Sequence, residues 1–87
     1  MNKMEEAIDR IKALECPTGE VENSVALILE DYGVADSDKV YVNRDNRLDR
    51  GDVEAYRVKI AGEGQTFVVL AKSGYDGYVA KVVDVLQ

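Results

Sequence analysis

The side chains best suited to chemistry are crowded into one stretch, Asn43-Arg44-Asp45-Asn46-Arg47-Leu48-Asp49-Arg50-Gly51-Asp52. Its carboxylates point to two chemistries, general acid–base catalysis and calcium binding. For calcium, Asn43, Asp45, Asp49 and Asp52 fall at the third, fifth, ninth and twelfth positions of a calcium loop. Tyr41, however, stands where the leading Asp belongs, Asn46 replaces the turn glycine, and the residues from Val53 onward alternate like a strand where an exit helix is required. Three Arg in the same stretch offset the negative charge that would attract a cation. A catalytic acid needs a desolvated pocket, and Asp45, Asp49 and Asp52 sit in a very polar run. The expectation is a long solvated hairpin loop with local Arg/Asp pairs, each contributing about 0 to 1 kcal/mol.

The rest of the inventory removes other mechanisms. The chain has no His and a single Cys, Cys16. The usual general base near neutral pH and the commonest zinc ligand are therefore missing. Serine or cysteine nucleophiles activated by His have no basis here, and one Cys cannot build a structural zinc site. Cys16, just before Pro17, reads as a packed or idle thiol suited to a reducing compartment. No glycine-rich phosphate loop opens a helix. Arg44, Arg47, Arg50 and Arg57 offer guanidinium forks for an anion, but their Asp neighbours favour self-pairing. The reading is a protein that is not an enzyme and carries no metal or cofactor.

These residues must be positioned by a small scaffold. Eighty-seven residues form one domain, and 46% hydrophobic with 32% charged residues is an ordinary globular composition. Met4, Ala7, Ile8, Ile11 and Leu14 recur at helical spacing and predict an amphipathic helix over 3–15, with Glu5, Glu6 and Asp9 on its outer side. Pro17 prevents simple continuation. Thr18 is the expected N-cap of a second helix, with Glu20 and Glu22 in its first turns. Val21, Val25, Ile28, Leu29 and Tyr32 mark its inner stripe and Gly33 its end. Leu27 points away from that stripe and is read as the edge of a wide buried face.

After the polar run 35–38 the period becomes two. Residues 39–42 and 54–60 alternate as half-buried strands, and Gly62-Glu63-Gly64 is a turn. Residues 66–72 and 78–86 are richer in β-branched residues and read as the central strands, joined by Ser73-Gly74-Tyr75-Asp76-Gly77. The predicted fold is α+β: two N-terminal amphipathic helices packed on one face of a four-stranded antiparallel meander, in the order ααββββ. The helical half covers 3–33 and the sheet half 39–86 of a single domain, 1–87.

The segment Phe67 to Val85, FVVLAKSGYDGYVAKVVDV, resembles the start of the FMN-binding domain in subunits of the Rnf electron-transport complex and of sodium-translocating NADH:quinone oxidoreductase. Gly74, Tyr75 and Gly77 take the places of that domain's Gly-Tyr-x-Gly turn, and the resemblance extends over 56–86. It implies a truncated relative of that domain, with or without flavin against the hairpin. The family's threonine-bearing flavin attachment motif has no counterpart, so no cofactor residue is carried over.

Charge gives the leading functional expectation. The net charge is −6, and residues 1–43 hold ten acids against four bases while 44–87 hold seven of each. Phosphates would be repelled, so direct nucleic-acid binding is not expected. No apolar run is long enough for a membrane span and the N-terminus lacks a signal-peptide core, which points to the cytoplasm. The chain reads as a small acidic protein-binding module, in the manner of the inhibitor and immunity proteins of bacteria and phages, that masks a basic site on a larger partner. Glu5, Glu6, Asp9, Glu22 and Glu30 supply the charge, and Tyr75 with Asp76 a loop contact. The edge near 39–43 also offers a route to a homodimer.

Overall fold

The computed structural model describes residues 2–62, 64, 66–74 and 77–87. Helix α1 spans Lys3–Lys12. Asn2 caps it by accepting the Glu5 N–H at 2.8 Å, and Glu5 and Glu6 lie at its positive end with Arg10 and Lys12 at the other. Ala7, Ile8 and Ile11 are buried as their spacing requires. The helix stops earlier than the apolar pattern suggests. Leu14 reaches the core from beyond it, and its carbonyl accepts the Val82 N–H at 3.0 Å.

The segment after α1 corrects the expected strand count. Glu15–Pro17 forms a short strand, β1, antiparallel to the last strand, so the sheet has five strands. Only Cys16 faces the core, opposite Ala80, and a three-residue strand is too short to show alternation. Pro17 suits this position because an edge strand tolerates a missing N–H. Thr18 continues the pairing by donating to the Tyr78 carbonyl at 2.8 Å, and does not cap the next helix. Helix α2, Val21–Asp31, has Glu20 at its N-cap without a side-chain bond.

Val21, Val25, Ile28 and Leu29 bury the expected face of α2. Tyr32 has become the C-cap and is partly exposed, and Leu27, expected at the margin of the core, is 47% exposed. Gly33 adopts φ +73° just beyond the helix, a conformation that other L-residues rarely adopt. The Lys3 side chain lies beside it, placing a cation at the negative end of α2.

The remaining strands are β2 (Val40–Arg44), β3 (Val53–Ile60), β4 (Thr66–Ser73) and β5 (Val79–Leu86). All pairs are antiparallel in the order β1-β5-β4-β3-β2, so the expected meander is present with β1 added beside β5. Helix α1 lies over β5 and α2 over β2. The main core joins the buried stripes of both helices to Tyr56, Val58, Ile60, Phe67, Val69, Ala71, Ala80, Val82 and Val85. Burying each larger aliphatic side chain contributes roughly 1.5 to 3 kcal/mol.

A bulge keeps β5 in frame. Its register shifts between Leu70 and Ala71, so Leu70 pairs with Asp84 while Ala71 pairs with Val82. Val83 is the additional residue, exposed together with Asp84, and Val82 and Val85 are both buried although they lie three positions apart. Strict alternation would have turned one of them to solvent.

Candidate functional site

The polar stretch after β2 is less solvated than its composition suggests. Residues Asn46–Leu48 form a single 3-10 turn, and Asp45 caps it by accepting the Arg47 N–H at 3.2 Å. Leu48 packs with Val53 against Ala55, Val68 and Leu70, a second apolar cluster on the sheet face away from the helices. The loop is therefore laid against the sheet, and Asp45 is buried there at 8% exposure. Its carboxylate accepts from Arg47 Nε and Nη2 and from Arg57 Nε and Nη2, at 3.1 to 3.4 Å. The two guanidinium groups hold Asp45 below the usual carboxylate range.

Arg44 fixes the other side of the reversal. Its two terminal nitrogens donate to the two oxygens of Asp49 at 2.8 and 2.9 Å, and Nη1 also reaches the Ala55 carbonyl at 3.0 Å. Asp49 Oδ1 accepts the Ala55 N–H at 2.8 Å. These bonds, Arg44 first, lower the Asp49 carboxyl to about 2. Arg44 also stands over the Tyr56 ring at 5.4 Å, and its Nε lies 3.6 Å from Glu54. Tyr56 donates its hydroxyl to Glu54 at 3.2 Å, and burial, reinforced by Glu54, pushes the phenol up to about 12.

The third carboxylate, Asp52, meets Lys72 at 3.2 Å. Each of the three that suggested catalysis or calcium thus faces its own cation, and among the described residues no three acidic or thiol side chains converge as a metal site would need. What this arrangement can do is hold a chain reversal rigid.

The expected contact residues fall into separate groups. Glu5, Glu6 and Asp9 are exposed on α1, with Glu5 and Asp9 one turn apart. Glu22 and Glu30 are exposed on α2, eight residues apart on a slanted row with Ala26 between them. Its Glu22 and Ala26 face β2. Glu22, Asn23 and Ala26 form one side of a groove of about 450 Å³ whose other side is Val40 to Asn43. Glu30 stands at the next depression with Asp36 and Lys39, and one of its oxygens accepts the Ser37 N–H at 3.1 Å. Because α1 lies over β5 and α2 over β2, the five acids span the breadth of the helical layer. Tyr75 and Asp76, the loop contact and the middle of the turn that carries the flavin-domain resemblance, lie outside the described residues. The flanking Gly77 has φ +77°.

Sequence reasoning passed over the groove. Its signal was the spacing of Glu22, Ala26 and Glu30 by four residues each, and its other wall depends on β2 being the sheet's outer strand, which only the assembled topology shows. Among the described residues no helix is long and apolar enough to cross a membrane. Comparison with family models, curated proteins and solved structures finds no match for this chain.

Proposed function

We propose that this chain is a non-catalytic protein-binding module that uses its acidic helical half to cover a basic site on a larger partner, as an inhibitor or immunity-type protein does. One observation carries the reading. Among the described residues every ion pair joins side chains between Arg44 and Lys72, and no acid of the two helices has a cationic partner. The sheet half pairs Asp45, Asp49 and Asp52 with its own cations, while the helical half leaves Glu5, Glu6, Asp9, Glu22 and Glu30 exposed and without a cationic partner among the described residues. Surface acids without a counter-charge steer a basic partner and raise its association rate.

The test is capture of partners on immobilised protein at low and high salt, followed by rebinding of the identified partner in pure form. Wild type is compared with a variant carrying Glu5→Lys, Glu6→Lys and Asp9→Lys, and with one carrying Glu22→Lys and Glu30→Lys. The expected partner is basic, binds less tightly as salt rises, and loses about tenfold or more of its affinity to charge reversal. A pure partner that ignores both salt and reversal would remove the reading. A stoichiometric complex with added FMN would favour the flavin-domain resemblance instead.

A further inference from the structure

The two margins of the sheet are not equivalent. On one side β1 is three residues long and ends in Pro17, features that discourage a further strand. On the other side β2 has neither proline nor bulge. Asp45 donates to the Ala55 carbonyl at 3.0 Å and Ala61 to the Lys39 carbonyl at 2.9 Å, which places the odd-numbered residues of β2 in the hydrogen-bonded pairs with β3. The N–H and C=O groups of Val42 and Arg44 therefore point outward. So does the Val40 carbonyl, while the Val40 N–H is taken by Ser37. A strand's worth of backbone donors and acceptors faces an open groove beneath α2.

We infer that this edge takes an added β-strand from the partner, and that the strand carries two basic residues flanking an apolar one on its helix-facing side. This deepens the proposed function and rests on it. The side chains decide the pattern. The half-buried Val40, Val42 and Ala26 give the groove an apolar centre. Glu22 lines this groove and Glu30 the adjoining depression, eight positions apart on α2, which is roughly 12 Å at a helical rise of about 1.5 Å per residue. Four residues of extended strand cover about 13 Å and return to the same face. A segment with Lys or Arg at two positions four apart and a small apolar residue midway sets a cation by each acid and the apolar side chain over Ala26 and Val40, clear of Arg44. The pattern reads the same in either strand direction. In the adjoining depression Lys39 lies with Glu30 and Asp36, so negative charge predominates there.

A second copy of the chain fits this edge less well. Two-fold pairing of β2 strands would bring the Glu22–Glu30 line of one α2 beside the same line of the other, between molecules of net charge −6. Charge complementarity thus selects a basic strand.

The probe is a fluorescein-labelled peptide, Ser-Thr-Lys-Thr-Val-Thr-Lys-Thr-Ser, titrated against the whole chain by fluorescence anisotropy. Two further peptides carry backbone N-methyl groups, one at the Lys-Val-Lys positions and the other at the intervening Thr positions. In an added strand only one of these sets faces β2, so one methylated peptide should lose binding and the other keep it. Glu22→Lys with Glu30→Lys should weaken the unmodified peptide about tenfold or more, and the triple reversal on α1 should change it by less than about threefold. Equal binding of the two methylated peptides would overturn strand addition. So would a dependence on the α1 acids instead of Glu22 and Glu30, absence of peptide binding, or a dimer whose Val42 amide is already protected from exchange. A basic partner protein that still responds to salt and to α1 reversal in any of those cases leaves the proposed function standing. Loss of both responses removes it too.

Discussion

Arg44 and Asp49 meet through two parallel hydrogen bonds, Nη1 to Oδ1 at 2.8 Å and Nη2 to Oδ2 at 2.9 Å, across the reversal between β2 and β3. Asp49 Oδ1 also takes the Ala55 N–H, so the pair ties the loop to the first turn of the β3 ladder. A side-chain pair thereby joins the end of β2 to the third residue of β3. It also gives β2 a fixed end, which matters for a strand whose outer edge is open.

The first prediction follows from the charge state of this pair. Arg44 and the Ala55 N–H hold the Asp49 carboxyl at about 2, against an ordinary value of 3.8, and Asp45 is lowered in the same sense by Arg47 and Arg57. A carboxyl lowered in the folded state contributes stability that is complete above its unfolded value and is lost as pH falls through the folded one. Thermal midpoints should therefore be level from neutral pH to about 4 and fall toward pH 2. Asp49→Asn should lower the midpoint at neutral pH and flatten that fall. If the variant keeps the whole wild-type dependence, the Arg44 fork is not its source.

A second prediction concerns Leu48, the apolar residue of an otherwise polar loop. It covers Ala55, Val68 and Leu70 on the face opposite the helices. Leu48→Ala should cost roughly 1 to 3 kcal/mol in chemical denaturation, since the side chain is half-buried and its neighbours can relax only in part. Hydrogen exchange should quicken at Asp49 and Val53 more than in α1. Uniform quickening across the molecule would show that the second cluster does not act separately.

Leu48 also shows why the sequence and the structure part company. The helical stripes and the alternation of β3 were legible because each repeats a period over many residues, as Ala7, Ile8 and Ile11 or Tyr56, Val58 and Ile60 do. Cys16 in β1 and Leu48 in its turn are single apolar residues in short polar surroundings, with no period to reveal them. Their burial depends on partners distant in sequence, Ala80 and Leu70 among them. Likewise Glu22 and Glu30 were legible as exposed acids. Their place beside an open edge was not, because strand order is a property of the whole sheet.

The bulge in β5 gives a third prediction. Val83 is the additional residue that lets Val82 and Val85 both face inward. Deleting Val83 leaves Val82, Asp84, Val85 and Leu86 in simple alternation, inward, outward, inward, outward. The deletion should fold with a stability within about 1 kcal/mol of wild type, whereas inserting one residue between Val85 and Leu86 leaves the core untouched and inserting one between Ala80 and Lys81 misaligns it. A deletion variant that fails to fold would mean that the bulge does more than correct the frame.

Cys16 yields a fourth. It is the buried free thiol of an edge strand, opposite Ala80. Its reaction with a chromogenic disulfide reagent should be slow in the native protein and should accelerate as denaturant is added. Because β1 is only three residues long, opening of this strand alone should precede global unfolding, giving a reaction faster than the global rate while the helical far-UV signal is intact. Reaction strictly at the global unfolding rate would show that β1 is as firmly held as the central strands.

The last prediction uses Tyr56, which lies under Arg44 and bonds Glu54. Burial comes first and the Glu54 carboxylate second among the causes that raise its phenol to about 12. A group raised in the folded state contributes stability that is whole below its unfolded value, here 10.0, and is lost as pH climbs through the folded one. An ultraviolet titration should show a tyrosine step at about 12, and this step should disappear in Tyr56→Phe. Glu54→Gln removes the neighbouring negative charge and should bring the step down without abolishing it, because burial still opposes the phenolate. Stability should begin to fall above pH 10 in wild type and less steeply in Tyr56→Phe. A Tyr56→Phe protein with the full wild-type loss would place the alkaline transition elsewhere in the molecule.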